Sequence, residues 1–399
     1  MFVETIKTPG LSHLSYVIGD GTEAAVIDPR RDFAVYEKVA ARRGVQITKI
    51  FETHRNEDLI SGAEDLARRA GAEVIRGATD EYEVQYARPA GDGERFSVGE
   101  VSLEVLATPG HTMDSISIAA RHGETGDSVI GVFTGDALFV NDVGRTDFYP
   151  DRAAEVAGKL HDSLQRLLAL GDQAIVYPAH GAGSICGSGM AARDFTTIGY
   201  ERDHNPRLQL DREAFVAAKS AEHHEYPPYF KTMESLNAGG APTLDGPSAP
   251  APLSAEAFAA AREDGALVVD VRSAESFAGG HVPGAFALPL SMLPAFAGWL
   301  LPYETPLVLV AEGADPVHRP ARAHEILHGP HARRDHEVLG ERAGHGSTCT
   351  GRDPARPPRA HRCSEFEREG RFRGAGAPGT GGYEVARGAD PTDGVVGTE

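Results

Sequence analysis

The sequence predicts an α+β protein: a sheet sandwich flanked by helices, then a partial α/β domain, then a low-order tail. Three observations carry this. Apolar β-branched runs first follow one another through short Gly-rich turns and later alternate with helical periodicity, the order expected of a meander built into a layered sandwich. A stretch over 231–252, richest in Gly, Pro, Ala and Ser at NAGGAPTLDGPSAPAP, reads as a linker to a second region of alternating helix and strand patterns. From about Pro316 the periodicity disappears.

Taken in order, SYVIGDGTEAAVIDP predicts two strands joined by a Gly-Asp-Gly turn, with Asp28 and Pro29 ending the second. Phe33 to Arg43 is helix-like, VQITKIFET is a strand, and Leu59 to Gly71 carries apolar residues at helical spacing, with Gly71 as its stop. Strands follow at VSLEVLAT, SISIAA, VIGVFTG and AIVYPAH, with a helix at Ala153 to Leu170 between the last two. A helical segment runs to about Ser220, and the two prolines of HHEYPPYF end a first domain, 1–230. In the second domain, 253–320, LSAEAFAAAREDG is an amphipathic helix, while ALVVDVRS and PLVLVAEG are buried strands. Residues 321–399 are poor in apolar residues and rich in Gly, Pro, Arg and His, a composition that buries too little surface to offset chain entropy. A low-order tail is expected there, and a frame-shifted end is the preferred explanation, because the second domain needs more strands and helices than precede it.

Composition narrows the function classes. With 399 residues, at about 150 per domain, two to three domains are expected. A net charge of -19 argues against nucleic acid or an anionic membrane surface as partner. The tail holds thirteen Arg against twelve Asp or Glu from residue 317 onward, so the preceding chain carries the whole negative balance. No apolar run reaches the roughly eighteen residues of a membrane span, and MFVETIKTPG has no signal-peptide pattern. The 3 cysteines, Cys186, Cys349 and Cys363, lack framework spacing, which suits a reducing, cytoplasmic setting.

The chemistry-bearing residues recur just past the predicted strands: His54 in FETHRNEDLISG, His111 in TPGHTMDS, Asp136 in FTGDALF and His180 in YPAHGAG. Side chains on loops beside a rigid sheet are how metal sites are usually built. His54, His111 and Asp136 are two imidazoles and one carboxylate, the ligand set that leaves open positions on non-haem Fe(II).

The order THxxxD, TPGHTxDS, TGDxLF, GRTDF and YPAHGAG resembles the metallo-β-lactamase fold family over Met1 to about Phe230. The resemblance implies a four-layer αββα sandwich. The family's common first loop is T-H-x-H-x-D-H, whose first two His join one metal while the Asp and last His join another. Here Thr53, His54 and Asp58 match, but Asn56 and Leu59 stand where two imidazoles are expected. An amide and an alkyl group are poor zinc ligands, which argues against a dinuclear hydrolytic centre. The retained positions, His54, His111 and Asp136, are those that bind the single iron in the persulfide dioxygenase branch. That branch implies one Fe(II) per chain, with zinc as the alternative, acting on a low-molecular-weight persulfide such as glutathione persulfide and O2 to release sulfite and thiol. Asp58 and His180, which would otherwise hold a second metal, become catalytic or supporting groups. Arg145 in GRTDF is implied to meet the substrate tail, with an ion pair to Asp147 as the competing role. Cys186, six residues past His180, is a candidate redox thiol.

VVDVRSAESFAGGHVPGAFALPL resembles the first half of a rhodanese domain through Asp270, Arg272, Phe277, Gly280, His281, Pro283, Gly284 and Ala285. That family's nucleophile follows the next strand in a Cys-x-x-Gly-x-Arg loop, whereas PLVLV is followed by Ala311, Glu312 and Gly313. The domain is therefore expected to be incomplete and non-catalytic. The leading expectation is an Fe(II) persulfide dioxygenase with small-molecule partners, no nucleic acid and no membrane; self-association is compatible with it. A glyoxalase II-like thioester hydrolase and a non-enzymatic sulfur-carrier or regulatory protein are the alternatives.

Overall fold

Two six-stranded sheets face each other and carry helices on their outer surfaces, in a computed structural model that describes residues 1–8, 10–243, 251–312 and the strand at 337–340. The first sheet runs β1 (Phe2–Thr8), β2 (His13–Asp20), β3 (Glu23–Ile27), β4 (Gln46–Glu52), β5 (Glu73–Gly77) and β6 (Arg88–Ala90) in that spatial order. β1 to β3 pair antiparallel and β3 to β6 parallel. The second sheet has the order β12-β11-β10-β9-β8-β7, formed by β7 (Arg95–Val98), β8 (Val101–Ala107), β9 (Ile116–His122), β10 (Gly131–Gly135), β11 (Ile175–Pro178) and β12 (Thr196–Thr197).

Alternation along the strands sorts the side chains into layers. In β2, Leu14, Tyr16 and Ile18 enter the space between the sheets, where they share one core with Phe96, Leu103, Val105, Ile118 and Phe133 of the second sheet. Val17 points the other way, into a layer shared with α1 (Ala34–Arg43) and α2 (Ala63–Ala70). On the far side, Val132 and Val176 pack with Leu160, Leu164 and Leu167 of α3 (Ala153–Leu168) and Phe215 of α5 (Arg212–Ser220), which follows α4 (Ile198–His204). A fully buried aliphatic or aromatic side chain of this kind contributes about 1.5–3 kcal/mol, so the layers hold the strand ends at fixed spacing.

The strands expected from VQITKIFET, VSLEVLAT, SISIAA, VIGVFTG and AIVYPAH are present as β4 and β8 to β11, and the hairpin as β2 and β3. Two differences bear on the site. FVETIKT adds β1, an edge strand whose alternation of polar and apolar residues leaves most of it half-buried. A helix, α6 (Phe230–Gly239), occupies the start of the stretch read as linker. Its Asn237 side chain donates to the carbonyls of Asn56 (2.6 Å) and Leu59 (2.8 Å) and accepts from Ser61 N–H (2.8 Å). The first domain therefore uses this helix to hold the loop after β4, a role that the Gly- and Ala-rich composition of the stretch does not reveal.

The second region is a parallel sheet of order β13-β17-β16-β14-β15, from β13 (Ala251–Pro252), β14 (Leu267–Asp270), β15 (Phe286–Ala287), β16 (Leu307–Ala311) and β17 (Glu337–Gly340). α7 (Ala255–Glu263) packs Phe258 on Val268, Val308 and Val310; α9 (Leu293–Leu300), which follows α8 (Ala274–Gly279), packs Leu293 and Ala297 on Val269 and Leu309. The expected tail, 321–399, with Cys349 and Cys363, otherwise lies outside the described residues. No helix among the described residues is long and apolar enough to cross a membrane.

Candidate metal centre

Four strands, two of them parallel neighbours in the second sheet, end at one edge of the sandwich, and each is followed within a few residues by a His or Asp. His54 follows β4, His111 follows β8, Asp136 follows β10 and His180 follows β11. Backbone bonds stitch the two sheets together there: Ile116 N–H donates to Thr53 O (2.7 Å) and Leu14 N–H to Ala179 O (2.7 Å). Gly144 lies so close to the Asp136 backbone that a Cβ would come within 2.0 Å of its carbonyl oxygen, so only glycine allows this approach.

All four side chains are buried. One ligand atom each from His54, His111 and Asp136 lies within 4.8 Å of the others. Asp136 Oδ2 is 3.8 Å from His54 Nε2 and 3.5 Å from His111 Nε2. Ligand atoms about 2.0–2.2 Å from one ion stand at comparable separations from each other, so the three groups fit a shared cation. The remaining ring atoms fix the tautomers. His111 Nδ1 is 3.0 Å from Arg145 O, a pure acceptor, so that nitrogen carries a proton and Nε2 is the atom turned to the cluster. Burial acts to lower the pKa of this ring, but Glu57 and Asp136 override it and raise it, so a cation at Nε2 would take the place of a proton. His54 Nδ1 is 2.9 Å from Thr53 Oγ1, whose hydroxyl donates to Asp28 Oδ2 at 2.8 Å. The Nε2 atoms of His54, His111 and His180 are buried and make no hydrogen bond, although Glu57 Oε1 lies 3.2 Å from that of His111 and Asp58 Oδ2 2.9 Å from that of His180; nitrogens so placed can face a metal position.

Asp58 and His180 form the neighbouring group. His180 Nδ1 is 2.7 Å from Asp136 Oδ1 and its Nε2 is 2.9 Å from Asp58 Oδ2. Burial acts to lower the His180 pKa, but Asp136 and Asp58 on either side override it and hold it well above 6.5. Burial acts to raise Asp136, and His180, His54 and His111 together hold it below the usual carboxylate range. His54 is lowered mainly by burial.

The structure brings Cys186 into this cluster and pairs Arg145 with Asp147. Cys186 is buried, with Sγ 3.5 Å from Glu57 Oε1, and burial pushes its thiol well above 9. Arg145 is fully buried; its guanidinium makes a fork with Asp147 (2.7 and 2.8 Å) and donates to Glu225 O (3.2 Å). The ion pair weighed against substrate binding is the arrangement present. Asn56 and Leu59 are buried and both give their carbonyls to Asn237. Two residues were missed from sequence. Asp28, whose backbone is left-handed at φ 51°, holds Thr53 through N–H (2.7 Å) and hydroxyl (2.8 Å). The available signal was a carboxylate placed directly at the end of a buried strand. Glu57 sits 3.2 Å from His111 Nε2 through Oε1; its only signal was a second acidic residue beside Asp58.

In the second region, Arg272 forks onto Asp270 (2.7 Å) and donates to Gly280 O (2.8 Å), and His281 stacks on Phe277. The motif residues thus hold each other. Ala311 ends β16, and Glu312 accepts from Ser273 N–H (3.2 Å) and Ser276 Oγ (2.6 Å). Gly313 lies outside the described residues.

A family model described as Metallo-beta-lactamase superfamily matches residues 8–180, and one described as Rhodanese-like domain matches 254–331. The chain is 30% identical over 254 residues to a beta-lactamase hydrolase-like protein of Xylella fastidiosa, an alignment that spans 55% of each chain, so it covers about half the length of that relative. It is 28% identical over 210 residues to the mitochondrial persulfide dioxygenase ETHE1 of Bos taurus, across 51% of this chain and 74% of that one. Among solved structures, a metallo-beta-lactamase of Staphylococcus aureus matches with TM-score 0.73 and 28% identity, covering 85% of this chain and 98% of that one. ETHE1 of Myxococcus xanthus matches with TM-score 0.51 and 31% identity, covering 60% and 98%.

Proposed function

Because the chain belongs to the metallo-β-lactamase superfamily, we propose that it is an Fe(II)-dependent dioxygenase of low-molecular-weight persulfides. The observation that carries this is the buried His54, His111 and Asp136 triad, its donor atoms within 4.8 Å of one another, in a first loop where Asn56 and Leu59 stand in place of imidazoles. The similarity to persulfide dioxygenase ETHE1 supports the substrate class. When bound, iron supplies Lewis acidity and a template for two reactants. The overall change is RSSH + O2 + H2O to RSH, sulfite and two protons. The chain's own part is positional. Arg145 O and Thr53 Oγ1 aim the two imidazoles, and His180, charged between Asp136 and Asp58, neutralises buried carboxylates and offers a proton beside the centre. The lack of framework cysteine spacing supports a reducing compartment.

One observation favours the hydrolytic alternative. Asp58, His180 and Cys186 also bring ligand atoms within 4.8 Å of one another, a second donor set that does not need Asn56 or Leu59. That reading predicts two zinc ions per chain and no oxygen uptake. The deciding experiment is anaerobic Fe(II) loading followed by oxygen consumption with glutathione persulfide, in wild type and His111→Ala. Uptake should follow iron content and be lost in the variant; equal rates in the two proteins would remove the proposal.

A further inference from the structure

We propose that Glu57 is a fourth protein ligand to the same metal, which makes the centre two imidazoles and two carboxylates and leaves two positions for reactants. This deepens the reading above and rests on a cation occupying the His54, His111 and Asp136 triad. Glu57 is 1% exposed, and its Oε1 lies 3.2 Å from His111 Nε2, the atom turned to the cluster. That spacing falls in the range shared by neighbouring ligands on one ion, as does the 3.5 Å from His111 Nε2 to Asp136 Oδ2. Glu57 also shares a set of ligand atoms within 4.8 Å of one another with Asp136 and Cys186, a set that meets the triad through Asp136 and includes neither imidazole.

The second observation is electrostatic. Glu57 Oε2 is buried with no hydrogen-bond partner, and no Lys or Arg among the described residues lies within 4.0 Å of the carboxylate. Its close partners are the His111 ring and the Cys186 thiol, both at Oε1. A buried carboxylate is unfavourable unless its charge is matched, and a divalent cation at the triad would supply a fuller match than one imidazole. Two carboxylates make the centre neutral with a divalent ion, and the added oxygen donor shifts its preference from zinc toward ions that accept mixed oxygen and imidazole ligation. Glu57 thus contributes a donor in the very loop where Asn56 and Leu59 cannot.

The test uses the full chain stripped of metal and titrated with Co(II), whose visible absorption reports coordination number without turnover, and with Fe(II) under anaerobic chelator competition. Glu57→Gln keeps size but removes the charge and turns one acceptor oxygen into an NH2 donor, and Glu57→Ala removes the ligand atom. Both should bind at least tenfold more weakly and give an altered Co(II) spectrum, while the metal-free variants melt at or above wild type. Wild-type affinity and spectrum in Glu57→Gln would overturn the assignment. If Glu57→Gln does not fold, Glu57→Asp, whose shorter carboxylate should shift the Co(II) spectrum, replaces it; an unchanged spectrum there would likewise overturn the proposal. A Glu57-dependent spectrum in a protein that consumes no oxygen with persulfide would remove the dioxygenase reading and leave this one standing.

Discussion

Asp28→Asn separates the aiming of His54 from the stability of the sandwich. Asp28 accepts both the Thr53 N–H and hydroxyl, and the same hydroxyl oxygen faces His54 Nδ1. Above about pH 7, where Asp28 is ionised, the carboxylate only accepts, so the hydroxyl proton points to Asp28 and His54 donates from Nδ1, leaving Nε2 for a cation. Asn tolerates the left-handed backbone here, but its Nδ2 in place of Oδ2 is a donor that turns the hydroxyl toward His54 and moves the ring proton to Nε2. Metal affinity should fall about 10–100-fold, the usual effect of losing such an outer partner.

Stability should move the other way. Burial raises the Asp28 carboxyl from 3.8 to about 7, even though both Thr53 bonds favour its ionised form. Between those values the folded protein holds a proton that the unfolded chain has released, so this group makes the wild type less stable as pH rises through the window. The full span is worth roughly 4 kcal/mol, and Asp28→Asn should gain on the wild type by about 1.4 kcal/mol per pH unit from about 5 to about 7. Urea unfolding of both metal-free proteins at half-unit pH steps, with Fe(II) titration above about pH 7 where Asp28 is ionised, checks both arms. Unchanged affinity would refute the relay, and parallel stability curves would refute the buried raised carboxyl.

Gly144→Ala should cut metal content at least tenfold, because its Cβ would come 2.0 Å from Asp136 O and 3.2 Å from His111 Cβ; metal analysis of purified protein checks this, and full occupancy contradicts it. Arg145→Ala should lower stability by about 3–5 kcal/mol by stripping Asp147 of its fork. At a temperature where the variant is still folded, an unchanged KM for persulfide would fit a structural ion pair, and a large rise in KM with normal stability would fit the substrate role.

The elements legible in the sequence were those whose burial leaves a composition trace. β4, β8, β9, β10 and β11 each carry buried β-branched residues on the side facing the core, and α3 shows a clean apolar stripe. β1 escaped because its alternation includes charged residues on a half-buried edge, and β6 and β12 are too short to show a period. α6 was hidden by the Gly- and Ala-rich stretch it runs into, since its contribution to the site is one polar side chain, Asn237, fixing a loop. The site divides in the same way. His54, His111, Asp136, Asp58 and His180 were marked by motifs, whereas Glu57 reaches the centre only through the path its loop takes after β4, which no spacing rule encodes.

The two stitches between the sheets have a further consequence. With Thr53 O bound by Ile116 N–H and Ala179 O by Leu14 N–H, the sandwich is bound like a book along the edge that carries the side chains of interest. The loops hanging from that spine can be rewritten without loosening the pages. Asn56 and Leu59 remain buried and hydrogen-bonded through their backbones although neither is an imidazole. A scaffold of this kind can change the reaction it hosts one side chain at a time, with the fold paying little for each experiment.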